Sequence, residues 1–244
     1  MIDPAGGSWF VESLTDAVAR AGWAFFQEIE AAGGAVGALD SGFVAEKARE
    51  VRAQREKRAA TRRVPITGVS EFPDLNEGPL AGPSIDTKAS LERDPLPPSA
   101  SGGLPVYRPA GAYEAYRDRS DAVLAETGSR PIAFMATLGP LAAYTARAGF
   151  ARNLLHAGGI DAVDAGPTET AEEVAKAYPG SPVAVLCSTD ALYTERGEAT
   201  VAALREAGAR YVLVAGKADV PGIDGQLYAG GDALAVIDSA WAAL

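Results

Sequence analysis

Arg130-Pro-Ile-Ala-Phe-Met-Ala-Thr-Leu-Gly-Pro-Leu-Ala-Ala-Tyr-Thr-Ala-Arg-Ala-Gly-Phe-Ala-Arg-Asn-Leu-Leu-His156 is the stretch on which the fold turns. Pro131 to Leu138 is a short, almost wholly apolar run closed by Gly139-Pro140, which suits a strand buried on both faces of a parallel sheet. The residues behind it predict a crossover helix, near Ala142 to His156. In an open α/β sheet, ligands lie beyond the carboxyl ends of the strands, so the turn from Leu138 to Tyr144 is where chemistry is expected.

The pattern continues to the end of the chain. Strands are predicted at Ile160 to Asp164, Val183 to Ser188, Tyr211 to Ala215 and Gln226 to Ala229, with helices near Thr170 to Ala177, Glu195 to Ala207 and Asp232 to Ala243. Strict β-α alternation with short loops points to a five-stranded, doubly wound parallel sheet over residues 130–244. Gly158-Gly159, Gly180 and Gly208 fall where helices end. Thr168 and Thr170 are candidate caps for the second helix, whose first turn carries Glu172 and Glu173 on the side the dipole favours.

Composition narrows the function classes. The net charge is −10 over 244 residues, a poor basis for binding nucleic acid or an anionic membrane, and neither partner is expected. No apolar run approaches the length that spans a bilayer, and the N-terminus has neither a basic start nor an apolar signal core. Cys187 is the single cysteine, which excludes an internal disulfide framework and fits a reducing, cytoplasmic setting.

Residues 1–72 read as a helical unit, and 73–129 as a Pro- and Gly-rich linker with one helix, Ala112 to about Glu126. In the linker, Pro73, Pro79, Pro83, Pro95, Pro97, Pro98, Pro105 and Pro109 remove backbone donors at short intervals, so it predicts an extended belt. In the first unit, Gly6-Gly7-Ser8 marks a turn, and Leu14, Val18, Ala21, Phe25 and Ile29 recur at helical spacing up to Gly33-Gly34. With Trp9, Phe10, Trp23 and Phe26 added, this small unit carries more aromatic surface than it can hide by itself, which implies a covering partner. A second helix, roughly Phe43 to Arg63, holds eight basic and three acidic residues; interspersed acids and the lack of alternating aromatics favour a solvated face over a phosphate-binding one. One short strand is expected in Val64 to Pro73.

Asp3-Pro-Ala-Gly-Gly-Ser-Trp-Phe-Val-Glu12, the helix from Trp23 to Gly34, and Ile66-Thr-Gly-Val-Ser-Glu-Phe-Pro73 resemble the end of the substrate barrel in the methylmalonyl-CoA mutase family. The order that follows, a Pro-rich belt and then a flavodoxin-like domain, is similar to that family as well. In its cobalamin-binding members the first turn of that domain carries Asp-x-His-x-x-Gly, whose imidazole is the lower ligand of cobalt and whose aspartate orients the ring. Here the same place reads Leu138-Gly139-Pro140-Leu141-Ala142-Ala143-Tyr144, without imidazole or carboxylate. His156, the sole histidine, stands about 20 Å away at the far end of the helix, at about 1.5 Å per residue. Ser188 matches a serine that touches the cofactor's nucleotide tail, although Asp190 breaks its Ser-x-Leu pattern, and Gly230-Gly231 matches the glycine pair that lets the tail approach.

Loss of the histidine motif, with Cys187-Ser188 and Tyr193 retained, looks like the small, non-catalytic subunit of the heterodimeric mutases. The resemblance implies the C-terminal part of such a subunit, a structural partner of a large subunit that holds adenosylcobalamin and interconverts methylmalonyl-CoA and succinyl-CoA. No cofactor is expected on this chain, and Ser188, Gly230 and Gly231 become vestiges. Two other readings stand beside it: a cobalamin-binding or delivery module lacking the histidine ligand, and a flavodoxin-like interaction domain.

Other chemistries find no motif. Gly-x-Gly-x-x-Gly after a strand, Gly-x-x-x-x-Gly-Lys-Ser/Thr and Gly-x-Ser-x-Gly do not occur, and one His with one Cys cannot supply a zinc set. Cys187 reads as a small buried hydrophobe at a strand end. Asp161, Asp164 and Asp190 stand near strand ends, but nothing in the sequence fixes their separation, so no acid-base role is assigned.

Overall fold

A computed structural model describes residues 3–78 and 107–244. Most of the predicted belt, including Pro79, Pro83, Pro95, Pro97, Pro98 and Pro105, lies outside the described residues. The backbone divides into two compact units, Met1–Arg55 and Glu56–Leu244.

The first unit contains α1 (Trp9–Ala31), α2 (Gly34–Asp40) and most of α3 (Phe43–Ala60). Gly33 and Gly34, at φ 96° and 73°, take the left-handed turn between α1 and α2 that a side chain would resist. Within the unit Phe25 stacks on Phe43 at 6.3 Å between centroids, and Lys47 pairs with Glu28 at 3.2 Å. Ala38 is the one buried residue among those described in this unit. The stripe of α1 stays open: Trp9 is 91% exposed and Trp23 62%, with Phe10, Leu14, Val18 and Phe26 exposed beside them.

The second unit begins in the last turn of α3 and contains α4 (Gly111–Thr127), β1 (Ile132–Thr137), α5 (Leu141–Ala157), β2 (Asp161–Asp164), α6 (Ala171–Ala177), β3 (Val183–Cys187), α7 (Glu198–Glu206), β4 (Tyr211–Ala215), β5 (Gly225–Leu227) and α8 (Ala233–Ala243). The five strands form one parallel sheet in the order β2-β1-β3-β4-β5. Chain direction across the sheet therefore switches between β1 and β3. Those two strands carry the apolar runs that defined them in the sequence, and each face is covered. One face packs Met135, Val185 and Leu213 against Leu155, Ile237 and Trp241; the other packs Phe134, Leu186 and Val214 against Val174, Leu204 and Tyr193. Each such side chain, fully buried, contributes roughly 1.5–3 kcal/mol.

The crossovers pack closely because of Gly158-Gly159. A Cβ at Gly158 would stand 2.5 Å from Ile237 of α8, and one at Gly159 would stand 2.5 Å from Ser120 of α4. Trp241 Nε1 donates to the Gly158 carbonyl at 2.9 Å, and Ser120 Oγ donates to the Gly159 carbonyl at 2.6 Å.

Four local expectations are corrected. Val64 to Pro73 is a turn, not a strand: the Ile66 carbonyl accepts from the amides of Val69, Ser70 and Glu71, and an isolated bridge joins Thr67 to Glu71. Pro65 and Pro73 remove donors, and Gly68 turns the chain at φ 79°. Thr168 does not cap α6; its hydroxyl donates to the Thr137 carbonyl, and Thr170 alone accepts from the Glu173 amide. The helix expected from Glu195 starts with a short α-helical piece, Asp190–Leu192, runs through one π-helical turn, Tyr193–Gly197, and returns to α-helix at Glu198. The last strand also begins one residue early and ends at Leu227, because Gly231 already closes a turn onto the Tyr228 carbonyl.

Candidate functional site at the switch point

The crevice at the carboxyl ends of β1 and β3 is where this topology places a ligand. Its floor is tied internally. Gly139, at φ 81°, donates its amide to the Thr168 carbonyl at 2.7 Å. The Thr137 hydroxyl donates to the Gly166 carbonyl, and the Leu138 amide extends the sheet by bonding the Cys187 carbonyl at 3.1 Å. Ser188 is fully buried, and its Oγ donates to the Leu138 carbonyl at 2.8 Å. The hydroxyl that the resemblance assigns to a cofactor tail is thus spent on stapling β3 to the turn after β1.

The space above is filled by Arg147, Asp190, Leu192 and Tyr193. Tyr193 Oη accepts from the Ser188 amide at 2.8 Å and shares its own proton between the Leu186 and Ala215 carbonyls, at 3.0 and 2.9 Å. Burial pushes its phenol up to about 12. Tyr193 opens a π-helical turn, a form often found at functional sites. Arg147 of α5 lies over the ring at 5.2 Å, donates to the Ser188 carbonyl at 2.8 Å and pairs with Asp190 at 2.7 Å. Leu192 closes the mouth: a Cβ on Gly139 would stand 2.7 Å from its Cδ1.

These residues do not fit a corrinoid. The turn offers no imidazole and no carboxylate, and the Ser188 hydroxyl is already bonded to the Leu138 carbonyl. His156 lies in the last turn of α5, on the opposite side of the helix's length from the turn. Its Nε2 is 3.3 Å from Asp161 Oδ1, off the line of a good hydrogen bond, and burial lowers its pKa despite that carboxylate.

The remaining candidates are dispersed. Asp161, Asp164 and Asp190 each face a different basic side chain, His156, Arg152 and Arg147, so each is engaged separately. Cys187 is fully buried and its thiol is pushed far up by burial, which leaves it inert. Among the described residues no group of His, Cys, Asp and Glu could hold a metal ion, and no helix is long and apolar enough to cross a membrane.

Gly230 and Gly231 lie apart from Ser188, in a cleft of about 100 Å³ lined by Thr61, Arg62, Glu71, Phe150, Leu154 and the Tyr228–Gly231 turn. Sequence reasoning missed both of the arginines that matter. Arg147 was legible in principle as the first charge in an otherwise small and apolar helix; Arg62 was not, being one of eight basic residues in its region.

Comparison with known proteins gives a consistent family. The family model described as methylmalonyl-CoA mutase matches residues 1–94. The chain is 50% identical over 241 residues to the methylmalonyl-CoA mutase small subunit of Streptomyces virginiae, covering 98% of this chain and 37% of that protein. It is 45% identical over 218 residues to a probable methylmalonyl-CoA mutase small subunit of Mycobacterium bovis, covering 88% and 32%. A shorter match, 41% over 71 residues and 29% of this chain, is to the large subunit of Streptomyces virginiae, of which it covers 10%. The chain spans about a third of the length of the small subunits it matches.

Proposed function

The chain belongs to the methylmalonyl-CoA mutase family, with its strongest likeness to small subunits, and from that premise we propose that it is the C-terminal part of a small subunit that supports a large catalytic partner and does no chemistry of its own. On this reading adenosylcobalamin and the interconversion of methylmalonyl-CoA and succinyl-CoA belong to the large subunit. The barrel-derived first unit carries the contact with the rest of the assembly, in a reducing cytoplasm.

The observation that carries the reading is the filled switch-point crevice. Arg147, Leu192 and Tyr193 occupy it, and Ser188 has turned its hydroxyl inward. A cobalamin carrier needs both room and a ligand there. The open aromatic stripe of α1 supports a covering partner in turn.

The test is an absorbance titration of the purified chain with hydroxocobalamin, paired with size measurement in the presence of the large subunit. The expected result is no protein-bound corrinoid spectrum at micromolar chain and a stable complex with the large subunit. A bound spectrum with a nitrogen ligand, or turnover by this chain alone, would overturn the proposal.

A further inference from the structure

Within the second unit, the segment from Arg62 to Phe72 lies across the cleft beside Gly230-Gly231. Arg62 Nη2 pairs with Glu71 at 2.6 Å, and its guanidinium stands 5.5 Å from the centre of the Phe150 ring. Asn153 of α5 holds the other end, accepting from the Phe72 amide at 2.8 Å and donating to Glu71 at 2.5 Å. The segment is therefore held on the α/β body by Phe150 at its start and Asn153 at its end, with Val69 packed against the core between them.

Both anchors are compromised. Arg62 and Phe72 are the non-glycine residues with positive φ among those described, at 54° and 52°, a region in which an L side chain is strained. The Arg62 side chain is only 7% exposed, yet its Nε and Nη1 have no acceptor and are sealed from solvent. A buried charge with unmet donors is costly, and lifting the segment exposes both to solvent. Phe72 meanwhile leaves its ring 78% exposed, so seating gains little from it.

We propose that residues 62–72 form a strap that opens from the Gly230-Gly231 cleft while the sheet stays folded. Seated, it covers Phe150, Leu154 and the Tyr228–Gly231 turn; lifted, it uncovers that face and hydrates Arg62. Strain at both ends sets the balance close enough to seated for a modest change to tip it. The inference does not depend on the proposed subunit role.

The test is residue-resolved hydrogen exchange on the full chain, with the β1 and β3 amides as the internal standard of global folding. The Phe72 amide is expected to exchange at least about 100-fold faster than that standard, as sub-global opening requires. Asn153→Ala, which removes one anchor, is expected to speed it further without altering the sheet. Phe72→Gly, which relieves the left-handed strain, is expected to slow it about three- to tenfold, whereas Phe72→Ala keeps the strain and gives no such slowing. Exchange of the Phe72 amide at the sheet's own rate, or equal behaviour of the Gly and Ala variants, would overturn the proposal.

Discussion

At the scale of single residues, the second unit depends on two phenols sealed in its interior. Tyr113 donates to the Ala59 carbonyl at 3.0 Å and Tyr193 ties the strand ends together, and burial pushes each up to about 12. The ordinary value is about 10. The folded protein holds these protons more tightly than the unfolded chain, so their full contribution is present below about pH 10. It is lost as pH rises from there through about 12, by about 2–3 kcal/mol for each phenol. Urea unfolding at about pH 9 and about pH 11 is expected to give a steep fall for the native chain and a shallower one for Tyr193→Phe. Equal falls would contradict the burial argument. Tyr193→Phe itself leaves the Ser188 amide and two carbonyls short of a partner, at a cost of about 1–3 kcal/mol at neutral pH.

At the scale of elements, the α5 C-terminus is the joint of the sandwich. Gly158→Ala sets a methyl against Ile237 at 2.5 Å, and overpacking of this kind costs about 1–3 kcal/mol. A second variant, Gly158→Ala with Ile237→Val, is expected to recover part of that loss in thermal unfolding, because it makes room on α8 for the added group. No recovery would mean that backbone geometry rather than crowding is at fault. The alternation of strands and helices was readable because its signals are local: apolar runs, glycines at helix ends, and Thr170 as a cap. What was not readable depends on distant parts of the chain. The Val64 to Pro73 run has the apolar content of a strand but no strand beside it. The π-helical turn at Tyr193 exists because its hydroxyl reaches carbonyls of β3 and β4. The crevice itself was legible as a missing imidazole, but not as a volume filled by Arg147 and Leu192, since no periodicity announces which helix residues lean over a strand end.

At the scale of the whole molecule, the two units differ in how they hide apolar surface. The α/β unit buries its core on both faces of a sheet, while the first unit leaves Trp9, Phe10, Trp23 and Phe26 open and buries only Ala38 among its described residues. Three tryptophans report this contrast. Trp241 is 4% exposed and lies beneath Arg119, whereas Trp9 and Trp23 are open. Addition of the large subunit is expected to shift tryptophan emission to the blue, and to do so undiminished in a Trp241→Phe chain. A shift that vanishes with Trp241 would place the contact elsewhere. Without a partner, the same aromatic surface is expected to drive self-association, seen as a concentration-dependent mass in sedimentation.

The way Arg147 sits over Tyr193 couples the switch-point turn to the strand ends, so a ligand atom introduced there meets a network rather than a free site. Grafting a histidine onto Pro140 would leave the guanidinium and the phenol in place, and removing either would unpair the Ser188 backbone, with Asp190 also losing its partner when Arg147 goes. Each such removal costs stability of its own, so a metal ligand placed there is useful only together with a rebuilt set of hydrogen bonds.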